Sequence, residues 1–266
     1  MTTVTKLQII GGGKMAEALL GGLLRRGWAR ADELHVVEPF QPRRDELAAT
    51  LPGLSIGDTA VSEADAVIAV KPDIVPAILG TLAAARVSRV LSIAAGVRSS
   101  VIESGLAEGA VVVRCMPNTP ALVGQGAAAI AGGANASGDD LEWAAGILSA
   151  VGLVVTVDEG DIDAVTGLSG SGPAYVFHLA EALIAAGIAE GLAPETADAL
   201  ARQTLLGAAA LLSESGEDPG VLRANVTSKG GTTAAGLDVF ARADFVGLVA
   251  DVVKAATDRS RELGDA

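Results

Sequence analysis

The sequence predicts an α/β fold in two parts: a doubly wound, mostly parallel sheet over residues 1–160, then an all-α domain over 161–266. Three observations predict it. Short apolar runs alternate with helical patterns through the first part, as in a parallel sheet covered by helices on both faces. A strand, a glycine triplet and an amphipathic helix open the chain. After Val157 the strand-like runs stop, and only helical periodicity continues.

The first run, "KLQII", leads into Gly11, Gly12 and Gly13 and then into a helix bearing Met15, Leu19, Leu20, Leu23 and Leu24, with Gly27 near its end. Gly11, Gly13 and Ala16 form a G-x-G-x-x-A pattern. The first glycine makes a tight turn, the second lets a pyrophosphate approach the backbone, and the small third residue lets helix pack on strand. In this context the pattern reads as a dinucleotide site. The second run, "LHVVE", ends at Glu38, 27 positions after Gly11, against about 20 for the usual ribose-binding acid. A carboxylate there favours NADH; Arg43 and Arg44, a few residues on, can instead hold the extra phosphate of NADPH. Use of both NADPH and NADH is expected.

The remaining runs are "AVIAV", "RVLSI", "AVVVRC", "AAAIA" and "LVVTV". Helix starts are expected near Ser62, Asp73 and Ser99, and ends near Gly80 and Gly105. In the second part, helices are expected over 172–191, 194–214, 218–225, 232–242 and 244–263.

Composition narrows the function classes. The chain has 266 residues, is 50% hydrophobic, and carries 32 acids against 19 bases for a net charge of -13. That charge repels phosphate backbones, and 3% aromatic residues offer few stacking platforms, so nucleic acid is excluded. One cysteine, Cys115, and two histidines, His35 and His178, leave no internal disulfide and no ordinary metal cluster. A reducing, cytoplasmic setting is expected. No apolar stretch is judged to reach the roughly 20 uninterrupted residues of a membrane span, and "MTTVTKLQII" lacks the marks of a secretion signal. The surplus of apolar residues points to a large helical subunit interface rather than to a single-chain core.

Three strand ends carry polar or proline-marked turns: "AVKP" with Lys71, "SIAAGV" with Ser92, and "RCMPNTPALV" with Asn118 and Thr119. In an open α/β sheet the ligand crevice lies beyond the carboxyl ends of the strands, so these turns should surround one cavity. Together with "AVTGLSGSGPAYVF" and "VTSKGGTT" they resemble the pyrroline-5-carboxylate reductase family, and the resemblance runs over about residues 7–263.

The resemblance implies an N-terminal Rossmann domain, a helical domain that intertwines with a second subunit, and assembly of homodimers up to a decamer. It implies reduction of 1-pyrroline-5-carboxylate to L-proline. Gly11, Gly12, Gly13, Lys14, Met15, Glu38, Ala69, Val70, Lys71, Pro72, Ile93, Ala94, Ala95 and Asn225 would line the cofactor. Asn118, Glu159, Asn225, Ser228, Gly231, Thr232 and Thr233 would face substrate, with Thr233 as the catalytic hydroxyl bonded to the ring nitrogen. There is one departure: Lys229 stands where the family commonly has proline in S-P-G-G-T-T, so the loop gains a backbone N–H and a cation.

The chemistry suits these residues. Backbone N–H groups of Gly231, Thr232 and Thr233 at a helix start offer donors to a carboxylate. Reducing a protonated imine leaves a neutral amine, so the strong proton donor that a carbonyl reductase needs is dispensable. Tyr175 and His178 fall three residues apart on one helix, where the tyrosine is read as packing near the helix start rather than as half of a catalytic pair, and Cys115 is read as a small buried apolar residue. A β-hydroxyacid dehydrogenase would need a helix-borne lysine, which neither Lys229 nor Lys254 provides. A non-enzymatic dinucleotide sensor would leave the threonine loop idle.

Overall fold

The computed structural model describes residues 4–264, which form two compact units. One runs up to Ser171 and resumes at Ala255; the other is Gly172–Lys254. The dividing points fall at the start of one long helix and within another.

In the first unit β1 (Leu7–Ile10) leads into α1 (Lys14–Arg25), followed by β2 (Leu34–Val37), α2 (Gln41–Thr50), β3 (Ser55–Gly57) and β4 (Asp65–Ile68). A 3₁₀ turn at Pro72–Ile74 starts α3 (Val75–Ala84); β5 (Arg89–Ser92), α4 (Ser99–Ser104) and β6 (Val111–Met116) follow. A 3₁₀ segment, Thr119–Val123, precedes β7 (Gly126–Gly132), α5 (Gly138–Leu148) and β8 (Gly152–Thr156). The chain then climbs through a 3₁₀ turn at Glu159–Asp161, α6 (Ile162–Val165) and a π-helical turn at Thr166–Gly170.

The eight strands form one sheet in the order β3-β2-β1-β4-β5-β6-β7-β8. Every neighbouring pair is parallel except β6 and β7. Strand order reverses beside β1, between β2 and β4, which is where a doubly wound sheet opens a crevice. β1 is buried along its length. Leu7 and Ile9 join one core layer with Leu19, Leu20, Leu23 and Leu47, whereas Ile10 joins the other with Ile68, Val75, Leu82 and Ile102. This is the period-two alternation of a strand covered on both faces. Gln8, also on β1, is buried and satisfied: its amide donates to the carbonyls of Val61 and Ala64, and its oxygen accepts from the Val61 N–H.

Three expectations are corrected. β3 has no counterpart among the seven predicted runs, because three residues, Ser55–Gly57, are too few to show a pattern. It is held instead from outside by His35, whose Nδ1 lies 2.8 Å from Ser55 Oγ and whose Nε2 lies 3.1 Å from the Thr59 carbonyl. No helix starts at Ser62, which sits in a turn where Glu63 takes a φ of 62° before β4. Gly80 lies inside α3 rather than at its end; the helix continues because Leu79 and Leu82 are buried in the core. Ser99 does begin α4, and Gly105 caps it.

The second unit is helical: α7 (Gly172–Ala189), α8 (Pro194–Ser215), α9 (Pro219–Asn225), α10 (Thr232–Arg242) and most of α11 (Phe245–Gly264). α7 and α8 pack as a hairpin through small residues: a Cβ on Gly187 would stand 3.3 Å from Ala197 Cβ. Ala197 is buried, yet Phe177, Leu206, Leu211, Val239, Val246 and Leu248 are exposed in the single chain. Exposed apolar area on that scale marks an association surface. The helical run Glu159–Ala189 is long and apolar enough, by length and composition, to cross a bilayer. The expectation that turn residues and charges interrupt every such stretch is corrected here: Pro173 sits in the first turn of α7, where a proline is tolerated.

Candidate active site

The loop after β1 shows what its glycines are for. Gly11 has φ 103°, and a Cβ there would stand 2.8 Å from the Ala69 carbonyl oxygen, so only glycine lets the β1 and β4 ends approach. Gly13 differs. It is extended and precedes α1 as its N-cap, with no side chain capping the helix, and a Cβ there would enter open space. The first N–H groups of α1 thus lack a side-chain acceptor at a cradle that a methyl group would fill. A pyrophosphate fits such a cradle: its oxygens accept these hydrogen bonds and its charge suits the positive helix end.

Two adjoining cavities extend from this point. One, of about 530 Å³, is lined by Gly11, Gly12, Gly13, Glu38, Asp58 and Lys71, among others. The other, of about 390 Å³, is lined by Lys14, Met15, Ile93, Ala95, Asn118 and Thr119, among others. Gly13, Ala69, Val70 and Lys71 belong to both walls. The crevice therefore runs over the carboxyl ends of β2, β1, β4, β5 and β6, and the turns singled out from the sequence surround it. Pro72 instead borders a neighbouring cavity of about 750 Å³ that also touches Ala95, and Ala94 is buried. Met116 and Pro117 of the "MPNTP" turn lie on the crevice walls as well, and so do Asp58 and Gly170, which were not expected there. The "MPNTP" motif holds a signal for Met116 and Pro117; Asp58, which follows the unrecognised β3, had none.

Several side chains that the sequence aimed at ligands are engaged by the protein itself. Glu38 accepts from the Gly12 N–H and the Phe40 N–H, both at 2.9 Å. Arg43 donates from Nε to the Gly12 carbonyl at 2.6 Å and pairs with Glu17 at 2.7 Å and Glu46 at 2.6 Å. Burial works against its charge, but hydrogen bonds to the two carboxylates prevail and raise its pKa. Arg44 donates to the carbonyls of Glu38, at 2.6 Å, and Pro39, at 2.9 Å. Asn118 bridges two elements: its amide nitrogen donates to the Ser169 carbonyl at 3.1 Å, and its oxygen accepts from the Ala127 N–H at 2.8 Å.

Glu159 holds the start of α4. Its carboxylate accepts from the Ser99 N–H at 2.8 Å and from the Ser99 hydroxyl, and lies 3.4 Å from buried Arg114. Burial alone would push its pKa up; the Ser99 hydrogen bonds and the Arg114 charge outweigh this, and the net shift is down. The turn bearing Ile93, Ala94 and Ala95 runs directly into α4, so the carboxylate anchors one wall of the crevice. Cys115 is buried on β6, and burial pushes its thiol pKa up. His178 is exposed and meets Glu181 at 3.0 Å.

In the second unit, α9 ends at Asn225 and the "VTSKGGTT" loop leads into α10 at Thr232. Gly230 has φ 72°, and the Gly231 N–H donates to the Ser228 carbonyl at 3.0 Å. No side chain caps α10. Asn225, Ser228, Lys229, Thr232 and Thr233 are exposed, so this loop presents hydroxyls and first-turn N–H groups outward.

A Rossmann sheet with an open dinucleotide crevice, joined to a helical unit rich in exposed apolar surface, defines the class: an oxidoreductase with a separate association domain. Residues 159–263 match the family model described as pyrroline-5-carboxylate reductase dimerisation. Residues 6–96 match one described as NADP oxidoreductase, coenzyme F420-dependent. The chain is 44% identical to the pyrroline-5-carboxylate reductase of a Synechocystis strain, covering 97% of this chain and 98% of that protein. It is 40% identical to the Arabidopsis thaliana enzyme, covering 97% and 95%. Among solved structures, the pyrroline-5-carboxylate reductase of Coxiella burnetii is 34% identical with a TM-score of 0.92, covering 98% and 99%. The Plasmodium falciparum pyrroline carboxylate reductase with NADP bound is 30% identical with a TM-score of 0.83, covering 99% of each chain. The chain belongs to the pyrroline-5-carboxylate reductase family.

Proposed function

We propose that this chain reduces 1-pyrroline-5-carboxylate to L-proline, the final step of L-proline biosynthesis, using NADPH or NADH. The observation that carries the reading is identity to named reductases along nearly the full chain, joined to an open glycine cradle at the head of α1. A bound dinucleotide would supply the hydride. The N–H groups at the start of α1 would hold its pyrophosphate, and the walls carrying Lys14, Met15, Lys71, Ile93 and Ala95 would flank it.

The first-turn N–H groups of α10, with Ser228 and Gly231 shaping the loop, would donate hydrogen bonds to the substrate carboxylate. The Thr233 hydroxyl would hydrogen-bond the ring nitrogen, and Asn225 would help set the ring's position. As the imine carbon gains hydride, the C=N electron pair settles on nitrogen and the positive charge of the protonated imine disappears. No buried acid is then required, which suits a site whose polar groups are hydroxyls and amides. We assign the exposed apolar faces of the second unit to a homodimer interface, with decamers as the larger assembly and the cytoplasm as the compartment.

The test is loss of nicotinamide absorbance with pyrroline-5-carboxylate, for the parent and for Thr233→Ala. Turnover in the parent and a fall on the order of 100-fold in the variant are expected. Absence of turnover in the parent with either cofactor would overturn the reading.

A further inference from the structure

We propose that this chain discriminates in favour of NADH, and that Glu38 and Asp58 are the residues that set the preference. The proposal rests on the reading of the crevice as a dinucleotide site for the reductase. The two cofactors differ only in a 2′-phosphate on the adenosine ribose, a group of about two negative charges near neutral pH.

Strand order decides which end of the crevice receives that ribose. β2 and β3 lie on one side of β1, and β4 lies on the other. With pyrophosphate at the head of α1, the adenosine ribose falls beyond the carboxyl end of β2. Glu38 follows β2 and Asp58 follows β3, and both line the 530 Å³ cavity. A ribose 2′-hydroxyl can donate to a carboxylate; a 2′-phosphate offers only acceptors and charge of the same sign.

The Glu38 carboxylate is held in place, and so is the turn that carries exposed Asp58. Glu38 accepts from two backbone N–H groups, one of them Gly12 in the phosphate loop itself, so swinging it away would strip both donors. The turn bearing Asp58 is pinned where His35 reaches the Thr59 carbonyl and Ser55. The cations that would answer a phosphate are committed elsewhere. Arg43 is bound to the Gly12 carbonyl, Glu17 and Glu46, with its side chain only 14% exposed. Arg44 is bound to the carbonyls of Glu38 and Pro39. Neither arginine lines the cavity, and the cation that does, Lys71, follows β4 on the far side of β1 and belongs to the wall shared with the second cavity. Both cofactors are accepted under this proposal, but unequally.

Two carboxylates facing a doubly charged group a few ångströms away should weaken NADPH relative to NADH by about 10- to 100-fold at moderate salt. The test is calorimetric binding to the full-length oligomer of NADH, NADPH, and the half-cofactors 5′-AMP and adenosine 2′,5′-bisphosphate, beside the ratio of kcat/KM values. NADH and 5′-AMP should bind tighter than their phosphorylated counterparts. Glu38→Gln and Asp58→Asn should each shrink the gap several-fold; exposed Asp58 keeps the test open even where Glu38→Gln disturbs the loop. NADPH binding as tightly as NADH, an unmoved ratio in both variants, or a selective loss of NADPH affinity on Arg43→Gln or Arg44→Gln would overturn the assignment. Binding of neither dinucleotide would overturn the dinucleotide reading itself, a different failure from a reversed ratio.

Discussion

Two glycines two residues apart should fail in opposite ways. In Gly11→Ala the new methyl group would meet the Ala69 carbonyl oxygen at 2.8 Å and Val70 Cγ1 at 2.9 Å, at a φ of 103° that L-residues avoid. The strain of that dihedral, about 1–2 kcal/mol, and the forced displacement of backbone, a further 1–3 kcal/mol or so, sum to about 3 kcal/mol. For a chain of this size that lowers Tm by roughly 6–12 °C. In Gly13→Ala the backbone is ordinary, at φ -67° and ψ 179°, and the methyl group enters empty space. Replacing a glycine N-cap by alanine costs about 0.5–1 kcal/mol, and the stiffer unfolded chain returns about the same. Stability should stay within about 0.5 kcal/mol of the parent. Dinucleotide affinity, however, should fall on the order of 100-fold, because the methyl group occupies the path by which pyrophosphate reaches the α1 N–H groups. Differential scanning calorimetry reads the first effect and isothermal titration with NADH the second. A Gly13→Ala protein that binds NADH as tightly as the parent would refute the cradle, and a Gly11→Ala protein of parental Tm would refute the steric argument.

Glu159 has a folded pKa below the ordinary 4.5, so its contribution is present above that value and is lost as pH falls through its folded pKa. Glu159→Gln should be less stable by about 1 kcal/mol at pH 7, a modest figure because the carboxylate is partly exposed; the gap in denaturant midpoints should close below pH 4.5, and a gap unchanged with pH would contradict the assignment. Cys115, buried with a raised thiol pKa, should react with Ellman's reagent only after unfolding, and prompt stoichiometric labelling of the native protein would count against its placement. Leu206 is 65% exposed in the single chain; Leu206→Glu should reduce the oligomer mass seen by light scattering if the second unit's apolar faces meet in a dimer, and an unchanged mass would move the interface elsewhere.

How far the site was legible depended on the kind of signal each residue carries. Gly11, Gly13 and Ala16 were readable because a phosphate turn imposes its own spacing, and "AVKP", "SIAAGV" and "MPNTP" because strand ends in a doubly wound sheet converge. β3 was not. Its three residues leave no periodicity, and its support comes from His35, 20 positions before Ser55. Missing β3 meant missing Asp58. Glu159 and Asn118 were assigned to substrate by resemblance, whereas in the fold their side chains hold Ser99, Ser169 and Ala127. No one-dimensional pattern reveals such bonds, since their partners lie as far as 60 residues away.

The sequence by itself determined the element types: alternating apolar runs choose buried parallel strands, and glycine at two spaced positions chooses a phosphate turn, because both follow from local backbone geometry and periodicity. Only the tertiary structure decided which polar groups remain available to a ligand. Arg43 and Arg44 look like phosphate ligands until the fold brings the Gly12 carbonyl, Glu17 and the Glu38 carbonyl within reach. A side chain's hydrogen-bonding capacity is finite, and which partner takes it is set by distances that chain order does not contain.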